Sequence, residues 1–270
     1  MYERQRVQQA FHRGALEYDR HTPVQQRVIK RLAGALYLLS FQPDRQLLDI
    51  GCGTGRLLEL LAEKLPEAEL TGLDLVPNML QQARERLDNR VCLVQGDAEQ
   101  LPFADQAFDM VVSSSTFQWL VQLDRCFGEI VRVLRPGGRF VFSLFGQGTL
   151  EELQLSWRSA LAGCRRPDIA QQHDGTHRFH TAEQVSVALS AAGFCNSRVW
   201  IEQEVVWYPD VPHLLQAVKR IGAGTARPPV GGGLGWRKVL HDMAAIYQER
   251  FGTANGVPAT YQVIYGEGSR

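Results

Sequence analysis

The chain lacks the features that mark several broad protein classes. Its five cysteines are scattered and none forms a Cys-x-x-Cys pair, so we expect neither a disulfide framework nor a zinc site. Lysine plus arginine and aspartate plus glutamate each total 29, so there is no basic excess to favour nucleic acid. No apolar run approaches the roughly 18 residues that a membrane span needs. The N-terminal residues lack a signal-peptide core, and we expect a cytoplasmic protein.

The histidines show no spacing typical of a metal site. His173, His177 and His180 recur at three to four residues, which a helix would bring onto one face. Gly175 lies between them and favours a solvated loop instead. We therefore expect no metal.

The most informative stretch is Leu-Leu-Asp-Ile-Gly-Cys-Gly-Thr-Gly at residues 47–55. A short apolar run containing Asp49 turns through Gly51, Gly53 and Gly55 and leads into an amphipathic run. This pattern predicts a strand, a tight loop and a helix. Glycine lets the backbone approach a ligand closely, and the helix N-terminus behind the loop offers unpaired N–H groups.

The spacing of these glycines separates two kinds of cofactor. Dinucleotide sites use G-x-G-x-x-G and place a pyrophosphate on the helix N-terminus. Here the spacing is G-x-G-x-G, and Asp49 stands two residues before the first glycine. A carboxylate at this place favours a cation, and S-adenosylmethionine carries a sulfonium and an ammonium group. The segment resembles the first motif of class I S-adenosylmethionine-dependent methyltransferases; taken alone, it is equally a generic strand–helix turn.

Further acidic residues follow at the ends of predicted strands. Asp74 lies about 20 residues after the loop, where an acidic residue commonly binds ribose hydroxyls; the alternative role is a helix N-cap before Pro77. The resemblance implies that Asp97 meets the adenine amino group, and the alternative is a turn aspartate. The cofactor-binding residues implied are Asp49, Gly51, Gly53, Gly55, Asp74, Leu75, Asp97, Ala98 and Ser113.

Strands and helices alternate from about Leu47 to Leu144, which predicts a parallel sheet with right-handed crossovers. The resemblance implies an α/β, Rossmann-like class I methyltransferase fold: a seven-stranded, mostly parallel sheet with helices on both faces and an antiparallel last strand. We expect one domain with a helical cap (1–40), a cofactor-binding core (41–146), an insertion over the active site (147–180) and a C-terminal part that completes the sheet (181–270).

Local patterns predict several elements of this domain. A helix is expected from Val7 to His21 and a second from Val24 to Leu39. A Pro-Gly-Gly turn at 136–138 should precede the fifth strand. A capping box of Thr181 and Gln184 should open a helix that stops at Gly193.

Motifs outside the glycine loop are spread over nearly the full length of the chain, and they narrow the resemblance to one group of methyltransferases. They are Phe11 to Ala15 with Tyr18, Asp19 and His21; Ser113 with Phe117, Gln118 and Trp119; Gln147 to Leu150 with Glu152 and Leu153; Arg178 and Phe179; Lys219 with Ile221 to Ala223; and Tyr261. In these motifs the chain resembles the malonyl-acyl carrier protein O-methyltransferases of biotin synthesis, although the first motif is shared with quinone methyltransferases. The Gly231–Gly233 loop does not belong to that pattern.

The resemblance implies transfer of a methyl group from S-adenosylmethionine to the free carboxylate of a malonyl thioester. An ionised carboxylate is already a nucleophile at neutral pH, so no general base is expected. Arg178 and Lys219 are candidates to hold it, because arginine binds carboxylates bidentately; the alternative for each is a surface charge. Tyr18, Gln118 and Trp119 complete the candidate substrate pocket.

Two other functions stay open at this point. The acceptor can be another small carboxylic acid or a quinone precursor, or the chain can be a non-catalytic S-adenosylmethionine-binding protein. Malonyl-CoA is an alternative to the carrier-protein substrate. Residues 1–31 hold seven basic and three acidic side chains, which is either a solvated helix face or a docking face for an acidic carrier protein. The oligomeric state is not predicted.

Overall fold

The computed structural model describes residues 2–37, 45–164, 179–220 and 234–270. The chain divides into two compact units. The first comprises residues 1–146, 180–202 and 263–270, and the second comprises 147–179 and 203–262. The second unit begins where the insertion is expected to begin; a single domain with this insertion over the active site stays a prediction.

The N-terminal region contains α1 (Tyr2–Gly14), a 3₁₀ helix (Ala15–His21) and α2 (Pro23–Tyr37). The sequence predicted one helix from Val7 to His21, and this prediction is wrong beyond Gly14. Glycine is a poor helix former, and the chain tightens into 3₁₀ geometry after it, as is common at helix ends. The 3₁₀ helix ends at His21, and the hydroxyl of the next residue, Thr22, donates a hydrogen bond of 3.1 Å to the Tyr18 carbonyl.

The strands described form one seven-stranded sheet. They are β1 (Gln46–Ile50), β2 (Glu69–Asp74), β3 (Val91–Gln95), β4 (Phe108–Ser114), β5 (Leu134–Phe145), β6 (Cys195–Tyr208) and β7 (Val257–Ser269). Their order across the sheet is β3-β2-β1-β4-β5-β7-β6. The pairs β1–β2, β1–β4, β2–β3 and β4–β5 are parallel, whereas β7 runs antiparallel to β5. This confirms the predicted sheet. β1 lies between β2 and β4, so the strand order reverses there and a crevice opens at the carboxyl ends.

Helices connect these strands. The predicted capping box is confirmed at the start of α7 (Ala182–Ala192): the Thr181 hydroxyl accepts the Gln184 N–H at 3.1 Å, and the Gln184 side chain accepts the Thr181 N–H at 2.9 Å. None of the helices described has the length and hydropathy to cross a membrane. The helices are α3 (Arg56–Lys64), α4 (Pro77–Arg86), α5 (Leu123–Val133), α6 (Glu151–Ala162), α7 (Ala182–Ala192), α8 (Val211–Arg220) and α9 (Leu234–Phe251).

The Pro-Gly-Gly segment is a bulge within β5 and not a turn before it. The register with β4 passes from Phe108 opposite Leu134 to Met110 opposite Arg139, so the extra residues of β5 have no partner on β4. Gly137 supplies the left-handed backbone that the bulge needs, with φ 76°. The predicted turn is therefore wrong, and the strand begins earlier than expected.

A cluster of phenylalanine rings fixes the segment after β4. The ring centroid of Phe117 lies 5.6 Å from that of Phe127, 5.9 Å from Phe140 and 5.7 Å from Phe142. All four side chains are fully buried. Each such pair contributes about 0.5–1.5 kcal/mol beyond burial. Phe117 is thus an anchor for the short 3₁₀ turn Phe117–Trp119.

In the second unit, α6 and α9 pack together with Trp157 stacked on Trp236 at 6.2 Å between centroids. The buried Glu152 accepts the Thr260 N–H at 3.2 Å and also its hydroxyl. The Gly231–Gly233 loop lies outside the described residues.

Candidate functional site

The glycine loop between β1 and α3 forms the floor of a cleft in the first unit. Gly51 and Gly53 have φ of 71° and 54°, a left-handed conformation that glycine adopts at little cost. A Cβ on Gly51 would lie 2.2 Å from the Thr116 hydroxyl oxygen, whereas one on Gly53 would meet no atom within 4 Å. Gly51 is therefore required by the fold, and Gly53 leaves space beside the backbone for a ligand.

Asp74, at the end of β2, connects this loop to α4. Its carboxylate accepts the Gly53 N–H at 2.9 Å and the Val76 N–H at 2.8 Å. Burial raises the pKa of Asp74, and these N–H groups act in the opposite direction. The helix N-cap is Val76 and has no side-chain cap, so Asp74 holds the turn before the helix and is not its N-cap.

Asp49 is a buried carboxyl group in the cleft, and one of its oxygen atoms lacks a hydrogen-bond partner among the described residues. The residue is 1% exposed, and the oxygen atom in question is Oδ1. Burial, and next the charge of Asp74, raise the pKa of Asp49 from 3.8 to about 8. A buried carboxylate of this kind is costly when ionised unless a cation pairs with it. Asp49 is thus suited to an ammonium group.

Asp97 and Ala98 follow β3 and line the same cleft. The Asp97 carboxylate accepts the Glu99 N–H at 2.9 Å, which is the turn-aspartate arrangement anticipated as its alternative role. A carboxylate oxygen accepts more than one hydrogen bond, so this contact leaves Asp97 able to bind a ligand amino group. We call Asp49, Asp74 and Asp97 the acidic wall.

Two predicted cofactor residues do not line the cleft as described. The Ser113 hydroxyl donates to the Ile50 carbonyl at 2.7 Å and joins β4 to β1. Gly55 is the N-cap of α3, and a Cβ there would lie 2.9 Å from Leu87 Cδ1. Ser113 and Gly55 therefore stabilise the strand and helix that flank the glycine loop. Leu75 lines the cleft as expected.

Three aromatic side chains form the other side of the cleft. The Phe11 ring lies 5.8 Å from the Tyr18 ring and 5.6 Å from the Trp119 ring, measured between centroids. All three residues line the cleft. Burial, followed by the charges of Asp19 and Asp74, raises the pKa of Tyr18, so its hydroxyl stays neutral. We call Phe11, Tyr18 and Trp119 the aromatic wall; Phe11 was not among the predicted site residues.

The Gln118 side chain stabilises the fold next to the cleft by hydrogen bonds to the main chain. Its side chain is buried, donates to the Ser115 carbonyl at 2.5 Å and accepts the Phe145 N–H at 3.4 Å. It is not among the residues that line the cleft. Ser114 and Ser115 do line it, and their hydroxyl oxygens are buried without partners in the described part of the chain. The sequence predicted Ser114 only as the end of the fourth strand and did not single out Ser115, so their place in the cleft was missed.

Of the two candidate cations for the acceptor carboxylate, Arg178 and Lys219, the structure describes Lys219. Arg178 lies outside the described residues. His180, two residues later in the chain, places its Nε2 at 2.8 Å from the Leu120 carbonyl oxygen, next to Trp119. Lys219 is exposed near the end of α8, in the second unit, and is not among the cleft residues.

The cleft has a cavity volume of about 160 Å³. The acidic wall comes from the ends of three neighbouring strands, and Asp19 of the 3₁₀ helix also lines the cleft. The charge of the cleft disfavours a phosphate and favours a cation together with hydroxyl and amino donors. No group of three or more potential metal ligands occurs in the residues that the structure describes.

Comparison with known proteins identifies the family. A family model described as a methyltransferase domain matches residues 48–142. A malonyl-[acyl-carrier protein] O-methyltransferase from Geobacter sulfurreducens is 48% identical, and the alignment covers 100% of both chains. The chain belongs to this family of methyltransferases. A member from Laribacter hongkongensis is 37% identical over 99% of this chain and 90% of its own.

Solved structures support the fold. The YcgJ protein from Bacillus subtilis has a TM-score of 0.60 at 20% identity, with 89% of this chain and 98% of that chain covered. Phosphoethanolamine N-methyltransferase 2 from Haemonchus contortus, solved with S-adenosyl-L-methionine, has a TM-score of 0.55 at 22% identity, with 95% and 57% covered. The predicted class I methyltransferase fold is therefore confirmed.

Proposed function

We propose that this member of the family is an S-adenosylmethionine-dependent O-methyltransferase. It converts the free carboxylate of a malonyl thioester on acyl carrier protein into a methyl ester, an early step of biotin synthesis. The observation that carries the cofactor assignment is the buried Asp49 Oδ1, which has no partner among the described residues. The full-length relationship to malonyl-[acyl-carrier protein] O-methyltransferases supports the acceptor.

The residues of the acidic wall fit this cofactor. Asp49 pairs with the ammonium group, and the open backbone at Gly53 allows close approach. Asp74, with Leu75 beside it, binds the ribose hydroxyls through lone pairs that its two N–H contacts leave available. Asp97 and Ala98 bind the adenine. When bound, S-adenosylmethionine supplies a methyl group activated by a positively charged sulfur.

The chain's remaining task is to position the acceptor. A malonyl carboxylate is ionised at neutral pH and needs no proton removed, so alignment and exclusion of water are the main contributions. Alignment alone can lower a barrier by up to roughly 7–11 kcal/mol. The aromatic wall shields the cleft from water. The carboxylate needs a cation, because the acidic wall would otherwise repel it, and Arg178 and Lys219 stay the candidates from the sequence.

The proposed partner is malonyl-acyl carrier protein, with malonyl-CoA as the smaller alternative substrate. The reaction takes place in the cytoplasm, where the scattered cysteines stay reduced. All five are free thiols, which agrees with that compartment. Neither nucleic acid nor a membrane is a partner in this proposal.

A substrate panel tests the function. The purified chain is incubated with methyl-labelled S-adenosylmethionine and, in separate reactions, malonyl-carrier protein, malonyl-CoA, free small carboxylic acids and a quinone precursor. We expect the highest kcat/KM with malonyl-carrier protein and a base-labile methyl ester as product. Faster labelling of a small acid or a quinone precursor would replace the proposed acceptor. Cofactor binding without turnover on any of them would favour the non-catalytic alternative.

A further inference from the structure

Arg86, the last residue of α4, is surrounded by polar groups from two distant parts of the chain. Its Nη1 donates to the Thr54 carbonyl at 2.7 Å and to the Thr54 hydroxyl at 2.9 Å, and its Nη2 donates to the Asp19 carboxylate. The Thr54 hydroxyl in turn donates to Asp19 Oδ1 at 2.8 Å. We call Asp19, Thr54 and Arg86 the Arg86 cluster. It joins the glycine loop to the N-terminal region.

This cluster differs from an ordinary surface ion pair. The Arg86 side chain is 24% exposed and that of Asp19 is 31% exposed, so water screens the pair only in part. Arginine presents several donors in a fixed planar arrangement, and here two of its nitrogens are used on two segments. Glu59 adds a second carboxylate at 3.6 Å from Nε. The geometry of both segments is therefore set by one side chain.

The segment that Asp19 fixes also carries the aromatic wall. Tyr18 precedes Asp19 directly, and Phe11 contacts both Tyr18 and Trp119. The Asp19 carbonyl also accepts a hydrogen bond from the Gln26 side-chain amide, and this contact stabilises the turn between the 3₁₀ helix and α2. Thr54 stands between Gly53 and Gly55 of the glycine loop. A continuous set of contacts thus connects the glycine loop to the aromatic wall.

We propose that Arg86 is a positioning residue that couples the cofactor-binding loop to the aromatic wall. The inference rests on the proposed function, because it takes the glycine loop to be the cofactor site. Arg86 itself does not line the cleft. Through Thr54 it sets the loop, and through Asp19 it sets Tyr18 and Phe11. Coupling of this kind is reciprocal, so cofactor binding orders the N-terminal segment, and loss of Arg86 weakens both cofactor affinity and turnover.

Matched variants separate positioning from general stability. Arg86→Ala removes the cluster, and Arg86→Lys keeps the charge but not the planar set of donors. Arg90→Ala is the control, because Arg90 forms an ion pair with Asp88 at 2.8 Å on the exposed surface four residues further along. For each variant we would measure S-adenosylmethionine affinity by calorimetry, and kcat at saturating cofactor with malonyl-carrier protein. Thermal denaturation identifies the temperature at which every variant is folded.

We expect Arg86→Ala to weaken cofactor affinity about tenfold, which corresponds to about 1.4 kcal/mol, and to lower kcat at saturating cofactor by a similar factor. Arg86→Lys should recover part of both, and Arg90→Ala should match the wild type. A lower melting temperature for Arg86→Ala with unchanged affinity and kcat would assign Arg86 a purely structural role and overturn the proposal. A wild type that binds no cofactor would instead reject the proposed function.

Limited trypsin digestion gives a second readout that does not depend on activity. Arg13 and Arg20 are exposed cleavage sites in the segment that Asp19 fixes. We expect S-adenosylhomocysteine to slow cleavage at both sites in the wild type and in Arg90→Ala, but not in Arg86→Ala at a ligand concentration that saturates it. Equal protection in all three proteins would contradict the coupling.

Discussion

The acidic wall and the aromatic wall of the cleft are assembled from different parts of the chain. Asp49, Asp74 and Asp97 lie at the ends of three neighbouring strands within fifty residues of sequence. The aromatic wall joins two residues of the N-terminal helices to Trp119, over a hundred positions later. The first wall follows from the topology of a parallel sheet, whereas the second exists only through tertiary packing. The two walls should therefore respond differently to mutation.

The largest expected effect is on the acidic wall. Gly53→Val should place a branched side chain in the ligand space, and Asp74→Ala should remove a charged hydrogen-bond acceptor worth roughly 1.5–3 kcal/mol. We expect cofactor affinity to fall at least tenfold in each variant, measured by calorimetry. Asp88→Ala is a matched exposed control. Wild-type affinity in both cleft variants would mean that the cofactor binds elsewhere.

The second prediction concerns the acceptor side alone. Arg178→Ala or Lys219→Ala should reduce kcat/KM for the malonyl thioester about tenfold or more, because a charged partner of the carboxylate is lost. Cofactor affinity should stay near the wild-type value. Comparing the two variants identifies which cation holds the carboxylate. If neither variant changes the rate with malonyl substrate, the carboxylate is held by another group.

The third prediction uses the raised pKa of Asp49, about 8 against an ordinary 3.8. Between these values the folded state binds more protons than the unfolded state, so this group's contribution to stability is present at low pH and is lost as pH rises towards 8. Relative to Asp49→Asn, the ligand-free wild type should lose roughly 3–5 °C of melting temperature per pH unit between pH 5 and 8, because one bound proton corresponds to about 1.4 kcal/mol per pH unit. S-adenosylmethionine should stabilise the wild type increasingly over the same range, because it pairs with the ionised carboxylate.

Thermal shift assays across pH test this directly. Groups that do not interact with Asp49 titrate alike in both proteins and cancel in the difference, whereas Asp74, whose charge raises the pKa of Asp49, contributes to it. Parallel curves for the wild type and Asp49→Asn would show that Asp49 does not carry the raised pKa.

The smallest effect is expected at the N-terminal helices, where the basic excess lies. Exposed charge attraction is screened as the Debye length falls to about 8 Å at physiological salt and 3 Å at 1 M. We expect kcat/KM for malonyl-carrier protein to decline with salt more steeply than for malonyl-CoA. Changing Arg4, Arg6, Arg27 and Lys30 to Glu should weaken the carrier-protein reaction selectively. The double variant Arg84→Glu with Arg90→Glu is the control for charge reversal outside the N-terminal helices. Equal losses of kcat/KM for both substrates would identify the basic segment as a solvated face.

The same division explains what could be predicted from the sequence. The parallel part of the sheet and the strand-end positions of the acidic wall follow from local periodicity and from the glycine spacing, because each residue is placed by its own strand end. The antiparallel last strand was implied only by the resemblance to class I methyltransferases. Phe11 and Arg86 could not be found in this way, since their roles depend on contacts across long stretches of chain. Gln118 shows the same limit: the motif indicates its position along the chain but not that its side chain turns inward to Ser115 and Phe145.

One measurement tests the central claim most directly. Malonyl-carrier protein is incubated with either the wild type or Asp49→Asn and with S-adenosylmethionine in molar excess over the carrier protein but below the concentration that saturates the enzyme. The intact carrier protein is then analysed by mass spectrometry. We predict complete conversion to the malonyl methyl ester by the wild type and a rate at least tenfold lower with Asp49→Asn. Failure of the wild type to methylate the malonyl group, or equal rates for the two proteins, would contradict the account.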